Sequence, residues 1–410
     1  MVETAVRLLA PSEELWARLG TVVGCSVRVR GPLDLAALAD AFEGVRRRYP
    51  VLVTHLAVAD GGHLVVGPSA PLPSLTVCEG DIDDPLCDLD PGRVLSGLHV
   101  VRDGDRATVT LLTHHSIADG QYVLAVLDDL WSLYTDMAQG NTVVTASRGY
   151  PESLETLFAD RGIAKRGFDD AEPSTPVAID PGPEQSSDTG QQPVSNPPVR
   201  CRLDAAATTA LVEFGRRHQV TVNGLVTAAI LRTEADVKNV PLAEIPYCYV
   251  VDLRTRMTPA VARLEVTNAL GYATFTASSD ATGLADLARA VNEELRYGLA
   301  EGAVHRSALQ FPESFLQYRM PDTIPDTNWG RIPSLRSPVG VELEDFRGII
   351  RHHPQADLAA AMGKMPYTPA YIITTFRGRL SIEHVGIEPG YRDWARGRIV
   401  VLESYLRSVA

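Results

Sequence analysis

Apolar positions recur along this chain with two distinct periods, and the two periods mark its elements. From Leu33 to Tyr49 they fall at Leu35, Leu38, Ala41, Phe42 and Val45, one face of a helix, which Pro50 stops after the basic end Arg46-Arg47-Arg48. Val51-Leu52-Val53 and His63-Leu64-Val65-Val66 read as short strands around the turn Asp60-Gly61-Gly62. Leu98 to Val101 and Ala107 to Thr113, rich in β-branched residues, read as a hairpin around Asp103-Gly104-Asp105. Helical spacing returns from Gln121 to Met137 through Val123, Val126, Leu127, Leu130, Leu133 and Tyr134. Later, 205–218, 221–237, 284–299 and 391–409 read as helices, Tyr247 to Leu253 as a strand, and Ala370 to Phe376 with Leu380 to Val385 as a hairpin around Arg377-Gly378-Arg379. Helices and strands alternate irregularly, so the expected class is α/β with α+β layers.

Composition breaks this pattern once. Between Pro173 and Val199 seven prolines stand among Ser, Gln, Asp and Gly, a segment that cannot bury enough apolar surface to order itself. It reads as a linker, 173–199, between an N-terminal domain, 1–172, and a C-terminal domain, 200–410. The 410 residues are 45% hydrophobic and 22% charged, as in ordinary globular proteins. A net charge of -13 argues against nucleic acid or an anionic membrane as partner, since either needs a basic face. No apolar run approaches a membrane span, and Met1-Val2-Glu3-Thr4 lacks the basic start of a secretory signal. Cys25, Cys78, Cys87, Cys201 and Cys248 are scattered and form no metal-type pair, so reduced thiols in a cytoplasmic protein, and no metal site, are expected. Monomer is the default state.

Chemistry concentrates at His114-His115-Ser116-Ile117-Ala118-Asp119-Gly120, between the strand ending at Thr113 and the helix after Gln121. Neighbouring strand residues face opposite sides, so only one imidazole can face a given cavity. A neutral imidazole there can take the proton of a hydroxyl as its oxygen attacks a carbonyl. Asp119 can fold back to an imidazole, pair with an arginine, or simply cap the helix. Gly120 suits a sharp turn at the helix start. Arg351-His352-His353-Pro354-Gln355-Ala356-Asp357-Leu358 spells the same spacing without the glycine. It reads as a chance match in a loop, with His353 lining an acceptor channel as the alternative. The chain has no Gly-x-Ser-x-Gly elbow, phosphate loop, dinucleotide fingerprint or His-Glu-x-x-His helix.

The full His-His-x-x-x-Asp-Gly pattern resembles the signature of the condensation-domain superfamily, acyltransferases with a chloramphenicol-acetyltransferase-like fold. Val251-Asp252-Leu253-Arg254, Thr267-Asn268-Ala269-Leu270-Gly271, Asn223 to Ala229 and Arg46 to Leu52 extend the match over nearly the whole chain, with the linker unmatched. Within that superfamily the chain is most similar to polyketide-associated acyltransferases of the mycocerosyl-transferase type. The resemblance implies two chloramphenicol-acetyltransferase-like domains in a V, with a tunnel between them. It makes His115 the base, with His114 and Gly120 as motif support and Asp119 a structural partner of Arg254. Asn328-Trp329 fall where the family returns to the active centre, as substrate or oxyanion candidates, or form a surface loop with a buried ring. Arg336 reads either as a contact for donor or carrier protein or as an ordinary exposed arginine.

The expected reaction is transfer of an acyl group, taken first as acetyl or another short acyl, to a hydroxyl of a polyketide. No cofactor is held permanently: the co-substrate is an acyl-CoA or a phosphopantetheine thioester, the latter bringing an acyl carrier protein as partner. The alternatives are long-acyl transfer to a lipid diol, amide-forming condensation, and an inactive docking module.

Overall fold

The β-branched run before the motif becomes a fully buried central strand, and the rest of its sheet is gathered from distant parts of the chain. The computed structural model describes residues 4–67, 75–85, 89–141, 143, 146–165, 199–278, 283–318, 324–353, 370–385 and 391–410. In chain order the first elements are β1 (Ala5–Leu8), α1 (Pro11–Arg18), β2 (Val22–Arg30), α2 (Leu35–Arg48), β3 (His55–Ala59), β4 (Gly62–Val66), β5 (Thr76–Glu79), β6 (Ser96–Asp103), β7 (Arg106–His114), α3 (Gly120–Ala138) and α4 (Leu154–Ala159). There follow β8 (Val199–Arg202), α5 (Ala205–His218), α6 (Val222–Lys238), β9 (Tyr247–Asp252), β10 (Leu270–Phe275), α7 (Leu284–Ala300) and α8 (Ala303–Tyr318). The chain closes with β11 (Ile324–Arg331), β12 (Glu342–Arg351), β13 (Ala370–Phe376), β14 (Arg379–Val385) and α9 (Tyr391–Arg407).

These elements form two compact units, and the fold is mixed α/β. The first unit comprises Met1–Ile163, Arg254–Ala269 and Pro333–Ala360. It therefore takes two pieces from the stretch 200–410 that the sequence assigns to one domain. Its main sheet runs β12-β2-β7-β6-β5, with β5 parallel to β6 and the other pairs antiparallel; β1, β4 and β3 form a small second sheet. The β6–β7 hairpin closes on the pair Asp103–Arg106, where Gly104 supplies the positive φ of 61° that a two-residue loop demands. Asp34 caps α2 by accepting from the N–H groups of Ala36 and Ala37, and Leu38, Ala41, Phe42 and Val45 bury its apolar stripe. Val51 to Val53, expected as a strand, instead continue from Pro50 as a 3-10 turn with Val51 and Leu52 buried. Proline fixes the backbone φ at the turn's first position, and the strand starts two residues later, at His55.

The second unit comprises Ala164–Leu253, Leu270–Ile332 and Ala361–Ala410. Its sheet runs β10-β9-β11-β13-β14-β8, with β11 parallel to both β9 and β13. The expected helices 205–218, 221–237, 284–299 and 391–409 correspond to α5, α6, α7 and α9, and the expected late hairpin to β13–β14. The expected linker lies outside the described residues except for Val199, which already opens β8. Cys25, Cys78, Cys201 and Cys248 are free thiols, and Cys87 lies outside the described residues. Among the described residues no helix is long and apolar enough to cross a membrane.

Candidate active site

The site is built where β7 ends. His114 is the last residue of that strand and pairs across to Val22 of β2. Its Nδ1 lies 2.8 Å from the Ser116 hydroxyl, and its ring is 1% exposed. Burial pushes its pKa down to about 3, and the neighbouring His115 and His63 add to the effect. The group is thus held neutral. Below pH ~6.5 the unfolded chain binds a proton that the folded chain refuses, so stability is full above that pH and is lost as pH falls towards 3. We expect His114 alone to remove about 2 kcal/mol of unfolding free energy between pH 7 and pH 5. Denaturant titrations of wild type and His114→Gln at both pH values measure it. Equal losses in the two proteins would contradict it.

His115 turns away from the strand into a different environment. Its N–H donates to the Thr21 carbonyl at 2.7 Å, and its own carbonyl accepts from Asn268 Nδ2 at 3.0 Å. The ring stacks on Trp16, with centroids 4.1 Å apart and planes 17° apart. Burial lowers its pKa; its own carbonyl, the Asp119 charge and the Asn268 side chain act in the opposite direction. Nδ1 is sealed from solvent with no well-formed hydrogen bond among the described residues. A neutral imidazole is chemically able to take the proton of a hydroxyl.

Asp119 shows why the motif ends in an acid. It is fully buried and caps α3 by accepting from the Tyr122 N–H at 3.0 Å. Its other oxygen accepts from Arg254 Nη1 at 2.7 Å and from the Ala269 N–H at 2.9 Å, while its own N–H donates to the Thr267 carbonyl at 3.0 Å. Arg254, 1% exposed, also donates to the Val266 carbonyl at 3.2 Å. One carboxylate therefore clips the segment 254–269 to the start of α3, and that clip delivers Asn268 to the His115 carbonyl. Thr267 carries the tie further. Its hydroxyl donates to buried Glu13 of α1 at 2.6 Å, and Glu13 also pairs with Arg7 at 2.7 Å. This anchors the helix that presents Trp16.

Of the expected site residues, His114, His115, Asp119, Gly120 and Arg254 come together in the first unit. Gly120 takes ordinary helical backbone as the first residue of α3, so the turn expected there falls before it. Asn328 and Trp329 lie on β11 of the second unit. Asn328 donates to Asn223 at 2.6 Å and accepts from the Gly330 N–H at 2.8 Å, and the Trp329 ring is buried. Arg336 is an exposed arginine paired with Asp136 at 2.6 and 3.1 Å. Asp136 stands seventeen residues beyond Asp119 along α3, about 25 Å at helical rise, so Arg336 is remote from the His115 ring. Sequence reasoning gave no role to Trp16, Thr21, Asn268 or His352. His352 is the first imidazole of the second doublet, and its Nδ1 lies 2.8 Å from the Thr21 hydroxyl. His353, by contrast, donates its backbone N–H to the Leu19 and Gly20 carbonyls. Gly20, at φ 54°, leaves room for that approach: a Cβ there would stand 2.1 Å from the His353 oxygen.

A buried Asp–Arg clip beside a neutral histidine, on a strand-to-helix turn of this layered fold, frames the site, and comparison with known proteins gives the class of the chain: an acyltransferase. The first condensation domain of the calcium-dependent antibiotic synthetase, in complex with a substrate analogue, shares the fold at a TM-score of 0.64 and 15% identity, over 99% of this chain and 97% of that one. Residues 192–385 match the family described as phthiocerol/phthiodiolone dimycocerosyl transferase C-terminus. A phthiocerol/phthiodiolone dimycocerosyl transferase of Mycobacterium sp. (strain JLS) is 33% identical over 99% of this chain and 97% of its own length. Polyketide synthase associated protein 5 from Mycobacterium tuberculosis superposes with a TM-score of 0.78 at 30% identity, covering 99% of this chain and 98% of that one. The chain belongs to the phthiocerol/phthiodiolone dimycocerosyl transferase family.

Proposed function

We propose that this enzyme moves a long acyl chain from a thioester to a hydroxyl of a lipid diol, with His115 as general base and no acyl-enzyme intermediate. The neutral His115 ring, stacked on Trp16 and set beside the buried Asp119–Arg254 clip, carries the reading. The relatives' names support the substrate class: they denote transfer of mycocerosyl groups, two to an acceptor, to phthiocerol or phthiodiolone. This favours the lipid-diol alternative over the short-acyl transfer first expected from the sequence. The donor is a thioester on coenzyme A or on the phosphopantetheine of a carrier protein.

Each step balances on this chain's own groups. Nε2 of His115 removes the hydroxyl proton as the oxygen bonds to the thioester carbonyl carbon. The tetrahedral intermediate collapses, the carbon–sulfur bond breaks, and the imidazolium returns its proton to the departing thiolate. Asn268, the His115 carbonyl and the Asp119 charge all favour the transient imidazolium. Stacking on Trp16 holds the ring plane fixed while the proton moves.

The test supplies the purified chain with palmitoyl-CoA, palmitoyl carrier protein or acetyl-CoA, each with and without a long-chain diol. Thiol release and ester mass are followed. We expect diol-dependent ester from a palmitoyl donor, with acetyl-CoA at least about tenfold poorer in kcat/KM, a difference of about 1.4 kcal/mol. Preference for acetyl-CoA, or thiol release without ester, would overturn the proposal.

A further inference from the structure

The second His-His doublet is not a chance repeat in space. Val22 of β2 pairs with His114 on one side and with Arg351 of β12 on the other. The next residues out, His115 and His352, therefore flank Thr21 at one end of the sheet, two strand spacings or about 9–10 Å apart at the backbone. Thr21 joins them: its carbonyl takes the His115 N–H at 2.7 Å, and its hydroxyl meets His352 Nδ1 at 2.8 Å. Positive charge on His115 lowers the His352 pKa.

The tautomer of His352 follows from Thr21. That residue is fully buried, and Nδ1 of His352 is the one partner its hydroxyl finds among the described residues. A buried hydroxyl proton without an acceptor is costly, so Thr21 donates and Nδ1 accepts. The ring proton then sits on Nε2. Burial pushes the His352 pKa down to about 4, and the charges of His115, His353 and Arg351 add to the effect, so the ring is neutral. The strand ends thus carry an N–H donor on His352 and a proton acceptor on His115, one on either side of Thr21.

We propose that His352 is a specificity residue whose Nε2–H binds the second oxygen of the acceptor while His115 deprotonates the first. This rests on the lipid-diol reading above and deepens it. A base alone cannot tell a diol from a simple alcohol; a base with a neighbouring donor can.

The experiment is calorimetric titration of the intact protein with octane-1,3-diol and octan-1-ol, for wild type, His352→Leu and His352→Gln, alongside acceptor KM in the palmitoyl assay. In wild type the diol binds about five- to tenfold more tightly than the mono-alcohol, the contribution of one hydrogen bond. His352→Leu abolishes that difference and raises the diol KM by the same factor while kcat holds. His352→Gln, which keeps an N–H near the Nε2 position, restores both. A diol preference that survives in His352→Leu overturns the proposal, as does equal binding of diol and mono-alcohol by wild type. A preference that depends on His352 in a protein that transfers no acyl group would sink the transferase reading and leave this one standing.

Discussion

His115→Ala slows acyl transfer on the order of 10³-fold, within the 10²–10⁴ range for loss of a positioned general base. The loss falls on kcat rather than on KM, because the ring acts on a proton in flight and not on the bound ground state. The protein stays folded. Both hydrogen bonds that shape the turn at residue 115, to the Thr21 carbonyl and from Asn268, are made by the main chain and survive the truncation. Near-UV circular dichroism then matches wild type apart from the Trp16 contribution, since Trp16 loses its stacking partner. Wild-type kcat/KM falls on the acid side as His115 protonates, at a pH below the ordinary histidine range because burial lowers its pKa. The alanine variant loses that limb altogether. A variant folded and turning over within tenfold of wild type would remove His115 from the mechanism.

The motif was legible because its meaning is local. A β-branched run, two imidazoles and an acid at the start of an amphipathic helix lie within about thirty residues, and the structure gives each its expected element. What the sequence left dark depends on contacts between distant parts of the chain. Strand β12 looks polar, with Glu342, Glu344, Asp345 and Arg347, and no alternation marks it. It enters the sheet beside β2, where Glu344 meets Arg30 at 3.2 Å and Arg106 at 3.4 Å. Strand β2 is buried almost throughout, which removes the period-two signal a half-exposed strand would show. Helix α1 is only eight residues long, too short for its periodicity to stand out, though Pro11 near its start and Glu13 in its first turn were readable signals. Missing those elements meant missing Trp16 and Thr21 and leaving His352, seen in the second doublet, without a role. Asn268 sat in a stretch recognised by resemblance, but only the Asp119–Arg254 clip shows which carbonyl it serves.

That clip supports the largest stability prediction. Arg254→Met costs about 3–5 kcal/mol, the range for breaking a buried ion pair from one side. Asp119 is left fully buried with its charge, accepting only from the Tyr122 and Ala269 N–H groups. Asp119→Asn keeps the helix cap but removes the negative charge that faces the Arg254 guanidinium, itself 1% exposed. The double variant recovers a large part of either loss, because removing both charges ends the desolvation penalty that each single variant keeps. Denaturant midpoints of the four proteins close the cycle, and additive losses would show that the pair is not coupled. Activity separates position from charge. Arg254 bonds the Asp119 carboxylate and the Val266 carbonyl, so Arg254→Met, assayed where it is folded, keeps kcat within about tenfold of wild type. The Asp119 charge raises the His115 pKa, so Asp119→Asn lowers it and moves the acid limb of kcat/KM to lower pH. An unmoved limb in a folded Asp119→Asn would mean that Asp119 acts on His115 through position alone.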